Sequence, residues 1–154
     1  MGDHDLVKPA LEHLGLTLAV ESVAVRPGKP TSFGTLADGR RVLGLPGNPA
    51  SALVCAELFL KPMLRAMLGA DPAPRLTTAL TATALAANGP REHWMRARLS
   101  VDDQGAMVAA PLTDQDSSLV TVFAEADALL RRVAGAPAVG AMGRVEVLKL
   151  DRGA

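Results

Sequence analysis

The sequence predicts two structural classes in succession: an α/β part as far as residue 69, then a small all-β barrel or sandwich from residue 76. Three observations predict this. The first part alternates helix and strand patterns, and one strand runs through a Gly/Pro turn into a helix. Residues 70–75, with Pro72 and Pro74, form a short stiff linker. Beyond it, Thr/Val/Leu runs are separated by Asn88-Gly89-Pro90, Asp102-Asp103-Gln104-Gly105 and Gly135-Ala136-Pro137, the punctuation of short strands.

The elements follow in order. Leu6–Leu14 reads as a helix, with Asp3 or Asp5 as cap, Pro9 in its first turn and Gly15 ending it. Thr17–Val25 is rich in β-branched residues and reads as one strand. The loop Arg26-Pro27-Gly28-Lys29-Pro30 follows. Thr31–Ala37 and Arg40–Leu45 flank Asp38-Gly39, a hairpin signal whose two turn positions tolerate positive φ. Ala50 to Leu68 is the longest helix, with Asn48 as N-cap and Pro49 in its first position. Glu57, Lys61 and Arg65 give it one charged stripe, and the rest of its circumference is expected to be buried. Pro62 is expected to kink it. Strands are expected near 76–87, 93–101, 106–112, 128–134 and 143–150. In the second of these, Met95, Ala97, Leu99 and Val101 alternate with Arg96, Arg98 and Ser100.

Composition narrows the function classes. The 154 residues are 49% apolar, enough for a core, and 21% charged, too few and too mixed for a disordered tail. Sixteen Lys+Arg balance sixteen Asp+Glu, which argues against a general nucleic-acid coat but leaves room for a local basic pocket. One cysteine, Cys55, excludes an internal disulfide and a Cys-cluster zinc site; inside an apolar helix it reads as a small packing residue. No apolar run suits a membrane span and the first residues carry no signal-peptide pattern, so a cytoplasmic location is expected.

Four segments can carry chemistry. Leu45-Pro46-Gly47-Asn48-Pro49-Ala50-Ser51 aims a helix start and free backbone N–H groups at one spot, which suits a phosphate or another anion; it also reads as a capped turn with no ligand. Arg26 and Lys29 are held by two prolines and suit the same anion, or are solvated turn residues. Gly2-Asp3-His4-Asp5 can cap a helix or hold Mg²⁺. Arg91, Arg96 and Ser117 lie in the second half, where the plain alternative is solvated arginines on a barrel. His4, His13 and His93 have no partner at metal-ligand spacing.

Arg26–Pro30, then Phe33-Gly34, then Gly44–Ser51, with Pro62 and Gly69 beyond, closely resemble the molybdopterin molybdenumtransferase family. This is the MoeA-like group that includes the E domain of gephyrin. Gly2–Asp5 resembles the tail of the family's GGxSxGxxD element, and the second half looks like its C-terminal β-barrel. The resemblance implies a partial MogA-like three-layer α/β domain over residues 1–69, a linker at 70–75 and a barrel domain over 76–154. It implies insertion of molybdate into adenylylated molybdopterin with release of AMP, aided by Mg²⁺. By position it assigns Asp5, Arg26 and Lys29 to catalysis, with Asp5 near the metal or molybdate. It assigns Pro46, Gly47, Asn48, Pro49, Ser51, Arg91 and Ser117 to substrate binding. Ser22 departs from a lysine that many members carry. Family members are much longer, and Met1 falls inside the α/β domain, so the chain is expected to be a fragment lacking the N-terminal half and inactive alone. A homodimer is expected. The other role the resemblance offers is a scaffold that binds partner peptides, as in gephyrin.

Overall fold

The computed structural model describes residues 6–116 and 120–151. Helix α1 (Val7–His13) follows Leu6, and Gly15 (φ 79°) ends it as expected. The proposed caps Asp3 and Asp5 lie outside the described residues. β1 (Thr17–Val20), β3 (Ser32–Thr35) and β4 (Arg41–Gly44) form an antiparallel sheet in the order β1-β3-β4. The hairpin joining β3 to β4 turns at Asp38-Gly39 as expected. Only Gly39 takes positive φ (87°), because the Asp38 carboxylate is otherwise engaged by the Arg40 amide (3.1 Å) and guanidinium (2.7 Å). That exposed guanidinium holds the Asp38 carboxyl below its ordinary value.

Thr17–Val25 is not one strand. The β1–β3 ladder becomes irregular between Leu18 and Val20, and the Val23 amide turns to the Lys29 carbonyl (3.0 Å). The chain then re-enters β structure as β2 (Val25–Arg26) in a different sheet. Its pairing with the second half of the molecule outweighs local β propensity.

The long helix is continuous but changes pitch: α2 (Pro49–Cys55), a π-helical turn (Ala56–Leu60) and α3 (Lys61–Met67). The widened turn precedes Pro62, whose missing N–H and ring would clash with a regular α turn; the Lys61 amide reaches back to Ala56. The charged stripe holds a Glu57–Lys61 ion pair of 2.7 Å. The expectation of broad burial fails. Only Ala50, Ser51, Val54 and Cys55 are buried, while Leu64, Met67 and Leu68 are exposed.

The second half is a closed barrel of five strands: β5 (Leu76–Thr81), β6 (Glu92–Val101), β7 (Met107–Pro111), β8 (Ala128–Arg132) and β9 (Arg144–Lys149). The order β6-β7-β5-β9-β8 closes through β8–β6 pairing from His93↔Arg132 to Ala97↔Ala128. Closure removes the edges that an open sheet of this size would expose. β5 stops at Thr81, whose hydroxyl donates to the Thr83 carbonyl and turns the chain. Helix α4 (Val120–Glu125) has no counterpart in the sequence expectation.

The barrel interior is lined by Ala79, Ala97, Ala109, Ala128, Leu130, Val145 and Val147, small because five strands enclose little space. The alternation along β6 holds for Met95, Ala97 and Leu99, which face this core, but Val101 is exposed. A second apolar cluster lies outside the barrel wall. Val54 of α2 packs with Trp94 and Leu129, joined by Leu58 and by Phe123 of α4. The arginines of β6 are therefore not uniformly solvated: Arg98 is exposed, whereas Arg96 is 1% exposed. No described helix is long and apolar enough to cross a membrane.

Candidate functional site

β4 delivers the chain into Leu45-Pro46 and then into the helix. Asn48 has the extended backbone of an N-cap (φ −70°, ψ 123°), and its carbonyl accepts the Ala52 amide (2.9 Å). Its side chain does not cap the helix, contrary to expectation. Pro49 sits at the first helical position as expected. Gly47 faces open space, with no atom within 4 Å of where a Cβ would stand. Ser51 is buried at 4% exposure, below the mouth of the turn. A groove of about 730 Å³ opens here, and Pro30 from one motif and Ser32 of β3 share its lining with Gly44, Leu45, Pro46 and Gly47 from the other. The structure thus brings the ends of both sequence motifs to one cavity. Lys8 and Glu21 supply charge at its wall, which is otherwise largely apolar.

The cationic loop is tied to the barrel. β2 pairs in parallel with the start of β6, so that Arg26 lies opposite His93. His93 pairs with Arg132 of β8 on its other side. The His93 imidazole is held down to about 4 from 6.5, first by burial and then by the charges of Arg26, Arg96, Arg91 and Arg132. Arg26 and Arg91, two of the expected ligands, therefore share one electropositive neighbourhood. In the unfolded chain His93 takes a proton near pH 6.5; in the fold it resists until about pH 4. The stability this represents is complete above pH 6.5 and is lost as pH falls towards 4. Thermal melts across that interval are expected to fall more steeply for the parent chain than for His93→Gln; equal slopes would contradict it.

Arg96 is the functional candidate whose placement the sequence concealed. Among the described residues, its buried Nε and Nη1 atoms have no hydrogen-bond partner and no carboxylate stands within ion-pair distance. Burial lowers its pKa, while the charges of Asp114 and Asp116 act in the opposite sense. Its backbone is clamped by Gln115, whose Oε1 accepts the Arg96 amide and whose Nε2 donates to the Arg96 carbonyl, both at 3.0 Å. Arg132 is also buried but donates to the carbonyls of Ala86 and Pro137, which marks it as structural. A buried guanidinium with open donors is costly unless an anion completes it. Period-2 reading put Arg96 on the outer face, correctly, but outer did not mean solvated. The one available signal was Gln115, four residues after the end of β7.

The remaining expected residues divide plainly. Lys29 is exposed beside Pro30, and it forms no ion pair among the described residues. Arg91 is exposed, with its carbonyl accepting from Asn88. Asp5 and Ser117 lie outside the described residues. No three His, Cys, Asp or Glu side chains come together among the described residues, and Asp5, the residue expected near Mg²⁺, lies outside them.

Both halves of the chain match known proteins of one kind. Residues 1–66 match the model of the probable molybdopterin binding domain, and residues 78–150 that of the MoeA C-terminal region, domain IV. A Synechococcus elongatus molybdopterin molybdenumtransferase is 49% identical over 67 residues, 43% of this chain and 17% of that protein. A Mycobacterium tuberculosis molybdopterin molybdenumtransferase 1 is 33% identical, covering 82% of this chain and 31% of its own length. Among solved structures, a Pyrococcus horikoshii molybdopterin biosynthesis MoeA protein superposes with a TM-score of 0.77 at 29% identity, over 97% of this chain and 36% of that one. The chain spans about a third or less of each of these proteins.

Proposed function

Because the chain belongs to the MoeA family of molybdopterin molybdenumtransferases, we propose that it works in molybdenum cofactor biosynthesis, holding molybdate and the phosphorylated end of adenylylated molybdopterin. The observation that carries this reading is that Arg26, in register with His93, and the barrel's buried Arg96 both act on the His93 imidazole, so two cations converge on one stretch of β6. Molybdate is a compact dianion; Arg96 Nε and Nη1 can offer it two charge-assisted hydrogen bonds and half of the opposing charge, and a second cation supplies the rest.

In this reading Arg96 and Arg26 neutralise the oxyanion, and Lys29 offsets the phosphate charge that is released with AMP. Pro46 and Gly47 of the turn line the groove that Pro30, at the end of the cationic loop, also lines. Arg91 and Ser117 are proposed as further oxyanion ligands, and Asp5 as the carboxylate closest to the metal or molybdate. The parts of the relatives that lie outside this match are expected to supply the rest of the reaction, so turnover by these 154 residues alone is not expected.

Calorimetric titration with molybdate, and then with AMP, tests the reading. Saturable binding of molybdate that weakens with rising salt is expected, since the contacts are charge-assisted. Absence of heat at any molybdate concentration below the millimolar range would count against it.

A further inference from the structure

The Arg26–Pro30 loop is anchored twice, by different partners. Its first cation is fixed by the β2–β6 ladder to the barrel. Its other end lies on the helix. Gly28 (φ 119°) is buried so closely over Cys55 that a Cβ there would collide with the sulfur. Thr31, 2% exposed, donates its hydroxyl to the Gly28 carbonyl (2.8 Å) and shares a 3.2 Å hydrogen bond with Cys55 Sγ. The Thr31 amide also reaches the Gly28 carbonyl (3.0 Å), and the Val23 amide closes the loop on the Lys29 carbonyl (3.0 Å). Burial pushes the Cys55 thiol up, so it serves here as a neutral wedge and not a nucleophile.

We propose that Thr31 and Cys55 are positioning residues that clamp Gly28 to α2 and thereby set Lys29 beside the groove, at a fixed offset from the barrel-tethered Arg26. Neither side chain touches the anion; both act through Lys29. The inference rests on the oxyanion reading of the groove, and two independent readouts separate the failure of one from the failure of the other.

The first readout needs no ligand. In Thr31→Val, amide hydrogen exchange at Val23 and Thr31 is expected to quicken about tenfold while the β3–β4 hairpin amides stay protected, because local opening is governed by local bonds. Thr31→Ser restores the hydroxyl and the protection. The second readout is molybdate affinity, expected to weaken about fivefold in Thr31→Val and to recover in Thr31→Ser. On a Lys29→Ala background, Thr31→Val is expected to add nothing further, since both changes remove one interaction. Cys55→Ala serves as the second variant should Thr31→Val fold poorly, with the same exchange signature. Unchanged exchange at Val23 and Thr31 would overturn the clamp whether or not molybdate binds. So would a Thr31→Val loss that adds in full to that of Lys29→Ala. Faster exchange with no molybdate binding by the parent chain would keep the clamp as a loop anchor, but would overturn its role in setting Lys29 for an anion and the oxyanion reading with it.

Discussion

Replacing Arg96 with methionine is expected to raise the stability of the chain by about 1–3 kcal/mol while weakening molybdate binding at least about tenfold. The two effects share one cause. A guanidinium that is 1% exposed has given up most of its hydration, and among the described residues its Nε and Nη1 have no partner. Asp114 and Asp116 return part of the lost charge stabilisation through space. Methionine fills a similar volume and carries no donors, so the unliganded fold loses only a penalty. The liganded fold loses its strongest donor to the oxyanion. Urea denaturation and molybdate calorimetry on the same preparations check both signs. A variant that is less stable than the parent and binds molybdate as well would assign Arg96 to structure alone.

Trp94→Ala is expected to cost about 3–5 kcal/mol, the largest effect of any single truncation on the fold. Trp94 is 5% exposed and lies between Val54 of the helix and Leu129 of the barrel, with Arg131 over its ring at 5.7 Å from the centroid. The indole is therefore the packing link between the element carrying the Pro46–Pro49 turn and the strand carrying Arg96. Its loss opens a cavity at that junction and also removes a cation–π contact. Since α2 and β6 then lose their common support, anion affinity is expected to fall together with stability. A loss under about 1 kcal/mol by urea denaturation would show that the junction repacks and that the two motifs are held together by other means.

How much of this was legible in the sequence depended on whether local pattern or distant packing decides each element. The barrel strands could be placed because alternation and turn residues are local, and Ala97 and Leu99 point where their spacing puts them. The hairpin at Asp38-Gly39 was legible for the same reason. Thr17–Val25 was misread as one strand because the force that splits it, pairing of Val25 and Arg26 with Glu92 and His93, lies some 67 residues downstream. The helix after Pro49 was found, but its burial was not. An apolar circumference records that a side chain could be covered, and the described residues cover only the face around Val54. At the site, the sequence motifs brought out Arg26, Lys29 and Gly47. Arg96 was among the candidates, but its burial was not legible, because Gln115, which clamps its backbone, is distant in sequence from the strand that carries it.

The central claim is that Arg26 and Arg96 meet a single oxyanion at the junction of loop and barrel. Crystals of the chain soaked in tungstate, an electron-dense analogue of molybdate, test it through the position of the anomalous peak. The account predicts one peak within hydrogen-bond reach of the Arg96 guanidinium, about 3 Å from Nε or Nη1 and on the side facing Arg26. A peak that lies elsewhere, with the Arg96 donors still unmatched, would contradict it.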